Sequence, residues 1–176
     1  MTDMPWGLEH LSEKTLELNF ASQLNHRCGG NLLWFGLTQM QEARCGFDIA
    51  TRIGSALFIV QMKASTTVLK GSGARKFKVP DDQLQRLRAV NLGGCPLPPR
   101  SVFYAFPVIG TVKELNAHPD VLANTWLCDV ADCGAVGAPT KANGSLRKDE
   151  CHYVHVSPGE PPLPAGACGT AEWHSE

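Results

Sequence analysis

The amino-acid sequence predicts an α/β domain in which a mixed sheet contains an antiparallel hairpin and is flanked by helices. Three observations predict this class. Residues 8–25 contain neither Gly nor Pro and are rich in helix formers. Two β-rich runs are then separated only by Gly54-Ser55, which is the link that a hairpin requires. A second helix at 81–92, with acids in its first turn, leads into an apolar strand at 101–108.

The elements before the hairpin are a helix, a strand and a connector. Gly29-Gly30 end the first helix, because glycine readily adopts the left-handed conformation of a helix C-terminus. Residues 31–37 (NLLWFGL) are apolar and predict a strand. Thr38 and Gln41 have the spacing of a capping box, which predicts a short helix or turn over 39–44.

The elements after the second helix are less regular. A second capping-box signature starts at Thr111, and the helix that it opens is expected to continue to about Cys128. Residues 151–156 (CHYVHV) predict a last strand. Residues 157–176 hold four Pro and three Gly without an apolar repeat, which predicts a flexible tail. We therefore expect one domain over 1–156.

Length, charge and cysteine content bound the class of protein. The 176 residues fit one domain of ordinary size. Sixteen Lys and Arg against 17 Asp and Glu give a net charge of −1, which excludes a polybasic or histone-like protein. Seven scattered cysteines, an odd number, favour reduced thiols over a disulfide framework. Without a signal-peptide pattern or a long apolar run, the protein is expected to be soluble and cytoplasmic, with no membrane partner.

The hairpin brings three polar side chains together. If Gly54-Ser55 form a two-residue type II′ turn, Asp48 lies directly opposite Gln61. Directly opposed residues share a sheet face, with Cβ atoms about 4.5–5.5 Å apart. Lys63 lies two residues further along and shares that face. The other face of the hairpin is apolar, so it predicts a core surface behind this polar trio.

An acidic side chain of the first helix is a candidate fourth member. The positions three, four and seven residues after Glu17 are Phe20, Ala21 and Leu24. Glu17 is thus set in an apolar stripe, where a carboxylate needs a cation, a donor or a metal. Glu13, one turn earlier, is the substitute if the helix is rotated. If the core face instead runs through Leu11, Thr15 and Leu18, Glu17 is an ordinary surface residue.

These residues resemble the PD-(D/E)xK nuclease superfamily. The resemblance covers roughly residues 10–108 and lies in helix-borne Glu17, the GFD ending in Asp48, and the strand ending in Gln61-Met62-Lys63. It implies a restriction-endonuclease-like αβββαβ core. It also implies that Asp48, Gln61 and Glu17 bind Mg²⁺, or alternatively Mn²⁺, and that Lys63 orients or activates the attacking water. Gln61 replaces the usual acid, as in QxK variants, which lowers the ligand charge.

A basic segment follows the hairpin. Residues 63–79 contain five basic side chains and no acid, around a Gly71-Ser72-Gly73 centre. We expect a flexible loop that contacts phosphates; a solvated loop is the alternative. The predicted nucleic-acid contacts are Lys70, Arg75, Lys76 and Lys78. Because the net charge is −1, a homodimer partner or a larger complex is expected to help hold the nucleic acid.

The implied function is that of a Mg²⁺-dependent nuclease, a DNA endonuclease of the restriction or defence type, with RNA as an alternative substrate. A nuclease-like fold without catalysis, which binds nucleic acid or protein within an assembly, is the other interpretation. The C-terminal third contains residue types suited to zinc: Cys128, Cys133, Cys151, His152, His155 and Cys168. No CxxC pair is present, so scattered reduced thiols are the default expectation.

Overall fold

A mixed α/β architecture is seen in the computed structural model, which describes residues 9–92, 95–133, 151–157 and 172–175. The described helices are α1 (Glu13–Arg27), α2 (Gln39–Cys45), α3 (Asp81–Arg88) and α4 (Val112–Ala117). The described strands are β1 (Phe35–Gly36), β2 (Ile49–Ile53), β3 (Ala56–Met62), β4 (Thr67–Val68), β5 (Arg75–Pro80), β6 (Asn91–Leu92), β7 (Cys95–Pro96), β8 (Val102–Pro107), β9 (Thr125–Asp129), β10 (Cys151–Val156) and β11 (Glu172–Ser175). The predicted α/β class with a mixed sheet is confirmed.

The central sheet has five strands in the order β1-β2-β3-β8-β9. Strands β2 and β3 are antiparallel, β3 and β8 are parallel, and β8 and β9 are antiparallel. A parallel neighbour requires a crossover connection, and here the chain between β3 and β8 includes α3. A mixed sheet containing an antiparallel hairpin results, as predicted.

The predicted register of the hairpin is confirmed. Ile53 pairs with Ala56 and Ile49 with Val60, so only Gly54 and Ser55 lie in the turn. Gly54 has a φ of 62°, whereas Ser55 is not among the residues of positive φ. A positive φ at the first turn position alone is the type II′ pattern, and it explains the glycine.

A second, antiparallel sheet corrects the prediction of a flexible basic loop. Its strand order is β11-β10-β5-β4, and β4 and β5 form a hairpin within the segment that was expected to be a loop. Phe77 and Val79 are buried while Lys78 between them is exposed, which is the alternation of a strand with one face in the core. The basic composition obscured this period of two.

Other element boundaries also differ from the sequence prediction. The helix that starts after Thr111 ends at Ala117, and residues 125–129 form β9 rather than a helical continuation. Both predicted capping boxes are present, at Thr38 and Thr111. The predicted strand at 31–37 is limited to two residues, and α3 ends at Arg88. In the predicted tail, Glu172–Ser175 forms β11 against β10, and residues 158–171 lie outside the described ranges.

Both faces of the central sheet are buried. On one face, Leu16 and Phe20 of α1 pack with Val60 and Met62 of β3. The other face belongs to a second cluster, in which the apolar residues are contributed mainly by the two sheets and α3; its members include Ile59, Tyr104, Phe106, Phe77, Val79, Leu84 and Leu87. Side chains alternate along β3, so Gln61 lies on the Ile59 face. In the described part of the chain, no helix has the length and apolar character needed to cross a membrane.

Candidate functional site

Asp48 and Gln61 form a hydrogen-bonded pair where β2 begins and β3 ends. The Gln61 side-chain nitrogen donates to Asp48 Oδ2 at 2.8 Å, and the Met62 backbone N–H donates to the same oxygen at 2.7 Å. The Asp48 N–H in turn donates to the Val60 carbonyl at 3.1 Å. Gln61 is only 3% exposed. The Asp48 carboxylate therefore links the two strands at the end of the hairpin. This contact agrees with the predicted placement of Asp48 opposite Gln61.

Lys63 follows β3 directly and lies beside this pair. Its backbone N–H donates to the Ala105 carbonyl at 2.9 Å, which continues the pairing with β8 beyond the strand end. The residue is only 9% exposed. Its positive charge lowers the pKa of Asp48, so the ammonium group lies within electrostatic reach of the carboxylate. The structure thus brings the predicted Asp48, Gln61 and Lys63 together.

Helix α1 supplies two acids near the same place. Glu17 is 6% exposed and pairs with Lys14 Nζ at 2.6 Å, whereas Leu18 is 61% exposed. The alternative core face through Leu18 is therefore excluded. Glu13 accepts a hydrogen bond from the Ala64 N–H at 3.1 Å, directly after Lys63. Glu13 and Glu17 both lie within electrostatic reach of Asp48, so Glu13 is present in addition to Glu17 rather than in its place.

Burial and neighbouring acids leave the Asp48 carboxylate poorly compensated. Burial is the main cause that raises its pKa, to about 6, and the negative charges of Glu13 and Glu17 raise it further. The Met62 N–H and the charge of Lys63 act in the opposite direction. Perturbed acids of this kind concentrate at functional sites. A bound cation would relieve the mutual repulsion of the three carboxylates.

The donor set fits a hard cation that keeps part of its water shell. Carboxylate and amide oxygens are the ligands that Mg²⁺ prefers, and this ion is commonly held by one or two carboxylates with water completing the shell. Within the described ranges, no three His, Cys, Asp or Glu side chains are gathered closely enough to enclose a metal. Asp48 and Gln61 are the two predicted ligands that the structure brings into contact, whereas Glu17 is paired with Lys14.

The predicted nucleic-acid residues separate into two groups. Lys70 and Lys78 are exposed, and Lys76 is half-buried with its Nζ 3.8 Å from the centroid of the Tyr153 ring. Lys76 and Lys78 alternate with buried neighbours and so lie on the outward face of the second sheet. Tyr153, opposite Lys78 in β10, was missed from the sequence. The available signal was the alternation in CHYVHV, which places Val154 and Val156 on one face of the strand and Tyr153 on the other.

Arg75 has a structural position rather than the predicted phosphate-contacting one. Its side chain is 4% exposed, and Nη2 contacts both carboxylate oxygens of Glu114 at 2.5 Å. Its Nε donates to the Val108 carbonyl at 2.5 Å and its Nη1 to the Ser65 carbonyl at 3.0 Å. A Cβ on Gly110 would lie 2.6 Å from the Ser65 oxygen and closer still to the guanidinium. The guanidinium is thus enclosed by protein. The prediction that Arg75 contacts nucleic acid is therefore corrected.

A cavity of about 350 Å³ lies away from these acids. It is lined by residues near the end of α3, the start of β8 and the end of β9, such as Arg88, Val102 and Asp129. None of the predicted site residues lines it. The candidate site is thus separate from this cavity and lies at the end of the central strand β3.

The predicted zinc residues are only partly described. The sulfur atoms of Cys128 and Cys133 lie 3.1 Å apart. His155 is in β10, Cys168 lies outside the described residues, and the side chains of Cys151 and His152 are likewise not described. The described residues therefore contain a pair of thiols at this end of the molecule.

Comparison with known proteins adds no family assignment. No protein-family model, no curated protein and no solved structure matches the chain.

Proposed function

We propose that the protein is a Mg²⁺-dependent nuclease, with Mn²⁺ as an alternative ion, that cleaves phosphodiester bonds in DNA as an endonuclease. One observation carries the proposal: the Asp48–Gln61 hydrogen bond of 2.8 Å places a carboxylate and an amide together, next to buried Lys63 and the acids of α1. The restriction or defence role depends on the resemblance to PD-(D/E)xK nucleases alone.

The side chains have distinct roles in this proposal. The Asp48 carboxylate and the Gln61 carbonyl hold Mg²⁺, since the Gln61 amide nitrogen already donates to Asp48 and leaves the carbonyl oxygen as the ligand. When bound, Mg²⁺ supplies charge stabilisation for the phosphate in the transition state. The Lys63 ammonium orients the attacking water and adds positive charge beside the phosphate.

The order of elements supports the same proposal. Strand β1, the hairpin β2–β3, a crossover containing α3 and the parallel strand β8 follow α1 in the sequence and share the central sheet, with α2 and β4–β7 inserted between them. With these insertions set aside, the order is the αβββαβ order that the resemblance implies, which supports the proposal. The site lies at the end of β3, where Met62 pairs with Ala105 of β8. Loops that leave this end of the sheet are thus the nearest surfaces for a bound polymer.

The outward face of the second sheet is the surface that we assign to nucleic acid. Lys76, Lys78 and Tyr153 share this face, and Lys70 lies in the adjoining turn. The Ser65 hydroxyl donates to the Lys76 carbonyl at 2.6 Å, which ties this strand to the segment just after Lys63. Lysines contact phosphates and an aromatic ring can stack on a base. Because only three lysines are involved, a second copy or a larger complex is needed for tight binding.

Cleavage of supercoiled plasmid in Mg²⁺ or Mn²⁺, with EDTA as the metal-free control, tests the proposal. Lys63→Met removes the charge and keeps the apolar stem, and Asp48→Asn keeps an acceptor for the Met62 N–H. Each variant is expected to lose at least about 100-fold in cleavage rate. Lys113→Met and Glu9→Gln change exposed residues away from the site and are the matched controls. Folded variants that cut like the parent would refute the site.

One observation favours the second candidate, a nuclease-like module that binds nucleic acid without cutting it. The Gln61 amide and the Met62 N–H already satisfy Asp48 Oδ2 without a cation. Gel-shift measurements on the same plasmid and on RNA of equal length distinguish the candidates. A binding module shifts the nucleic acid and leaves it intact in Mg²⁺, whereas the proposed endonuclease converts the plasmid to open and linear forms.

A further inference from the structure

Two cysteines are held next to each other by the turn that follows β9. Cys128 lies in β9 and is half-buried, whereas Cys133 is fully buried. Their sulfur atoms are 3.1 Å apart, which is about 1 Å longer than a disulfide bond. A pair this close needs only a small side-chain movement to become covalently linked.

The backbone, rather than chance side-chain placement, brings these sulfurs together. The Asp129 carbonyl accepts hydrogen bonds from the N–H groups of Asp132 at 3.0 Å and Cys133 at 3.1 Å. The Asp129 carboxylate accepts another from the Ala131 N–H at 2.9 Å. Arg88 of α3 donates to the Cys133 carbonyl from outside the turn. The turn therefore returns Cys133 to the side of Cys128 in the reduced protein.

The two thiols differ in character. The hydrogen bond with Cys133 lowers the pKa of Cys128, although burial acts in the opposite direction. The same hydrogen bond, together with burial, raises the pKa of Cys133. Thiolate is the nucleophilic form of cysteine. The more accessible sulfur is thus the nucleophile, and the buried one is positioned as the resolving thiol.

We propose that Cys128 and Cys133 form an oxidation site at which a hydroperoxide converts the dithiol into an intramolecular disulfide. The Cys128 thiolate attacks one peroxide oxygen, the O–O bond breaks, and with one proton the products are Cys128 sulfenic acid and water or an alcohol. The Cys133 thiol then attacks the Cys128 sulfur and releases a second water. The peroxide gains two electrons, and the two sulfurs supply them. This chemistry is independent of the proposed nuclease function.

The site lies in line with the candidate nuclease site. Cys128 pairs with Tyr104 across β9 and β8, and Tyr104 pairs with Gln61 across β8 and β3. Tyr104 is fully buried, and its hydroxyl makes no hydrogen bond within the described structure. Only Tyr104 therefore separates Cys128 from Gln61 across the three strands β9, β8 and β3.

Peptide mapping of the full chain tests the proposal directly. The protein is treated with equimolar hydrogen peroxide, alkylated and digested with trypsin. Both cysteines fall in one fragment, residues 114–141, because Lys113 and Lys141 bound a stretch without Lys or Arg. The expected product is this fragment lighter by two hydrogens and unalkylated, with full alkylation restored by dithiothreitol. Exposed Cys28 is the internal control for exposure alone.

A variant separates the two steps. Cys133→Ser removes the resolving thiol, so Cys128 is expected to accumulate as sulfenic acid and react with a dimedone reagent. Full alkylation of both Cys128 and Cys133 in the parent, under conditions that oxidise Cys28, would overturn the proposal. The parent experiment stands even if the variant is unstable, and neither experiment uses nuclease activity as a readout.

Discussion

Two charged clusters, one at the start of β5 and one where β2 begins and β3 ends, are built in different ways. In the first, Arg75 binds Glu114 through two contacts of 2.5 Å, and the Gly110 and Thr111 N–H groups also donate to that carboxylate at 2.9 Å. In the second, Asp48 accepts hydrogen bonds from Gln61 and the Met62 N–H and lies within electrostatic reach of Glu13 and Glu17 as well as of Lys63. Burial alone would raise the pKa of Glu114, but these hydrogen bonds and Arg75 lower it, whereas the pKa of Asp48 is raised to about 6.

The contrast distinguishes a structural cluster from a candidate site. A charge that is paired by several partners is costly to unpair and has few groups left to offer a ligand. Acids that repel one another in a partly buried place lower stability and gain by binding a cation. Predictions on the two clusters should therefore have opposite signs.

The largest effect is expected in the Arg75 cluster. Arg75→Met removes the guanidinium and leaves the carbonyls of Ser65 and Val108 without this donor, whereas Glu114 keeps its two backbone donors. Because the Glu114 side chain is 39% exposed, the expected cost lies at the lower end of the range for breaking a buried ion pair, about 3 kcal/mol in the free energy of unfolding. Urea denaturation measures it. Arg52→Met, at an exposed position of β2, is the control. Equal losses in both variants would remove the distinction between the clusters.

The pH dependence of stability should also differ in sign. The pKa of Asp48 rises from 3.8 to about 6 on folding, so folded protein binds the proton more tightly and this residue lowers stability as pH rises from about 4 to 6. The free energy of unfolding of Asp48→Asn should therefore rise relative to that of the parent over this range, by at most about 3 kcal/mol. Glu114, with a lowered pKa, contributes stability that is lost as pH falls.

Unfolding curves of the parent, Asp48→Asn and Glu114→Gln from pH 4 to 7 check these signs. The free energy of unfolding of Asp48→Asn, relative to that of the parent, should be highest above pH 6. The free energy of unfolding of Glu114→Gln, relative to that of the parent, should be lowest there. A parent-to-Asp48→Asn difference that stays constant with pH would show that burial does not disfavour the Asp48 charge.

A smaller effect sharpens the interpretation of Gln61. Gln61→Glu replaces the donor to Asp48 by a second carboxylate, so without metal it should lose roughly 1–2 kcal/mol of stability through the lost hydrogen bond. The added carboxylate also repels Asp48, so this loss is a lower limit. Because ligand charge increases, added Mg²⁺ should raise the thermal midpoint of Gln61→Glu more than that of the parent. An equal rise in both proteins would exclude Gln61 from the ligand set.

The hairpin could be predicted because its turn residues are adjacent in the sequence. The two-residue turn at Gly54-Ser55 fixes the register, so the opposition of Asp48 and Gln61 followed from counting. The helical period left Glu17 either in an apolar stripe or on the surface, and the structure shows it buried.

Features that depend on distant partners were not predictable in this way. Glu114 lies 39 residues from Arg75, and no local pattern reveals that pair. Thr125–Asp129 was predicted as helix because its strand state depends on pairing with β8. The alternation of Phe77 and Val79 did contain the signal for β5, but the surrounding lysines suggested a loop.

Crystals of the protein soaked in Mn²⁺ reveal whether Asp48 binds a cation, since anomalous scattering identifies the ion. We expect a peak within about 2 Å of an Asp48 carboxylate oxygen, with Gln61 as its neighbour, and no such peak in Asp48→Asn crystals. A saturated soak with no ion at Asp48, or with ions only at other acids, would rule out the proposed metal site.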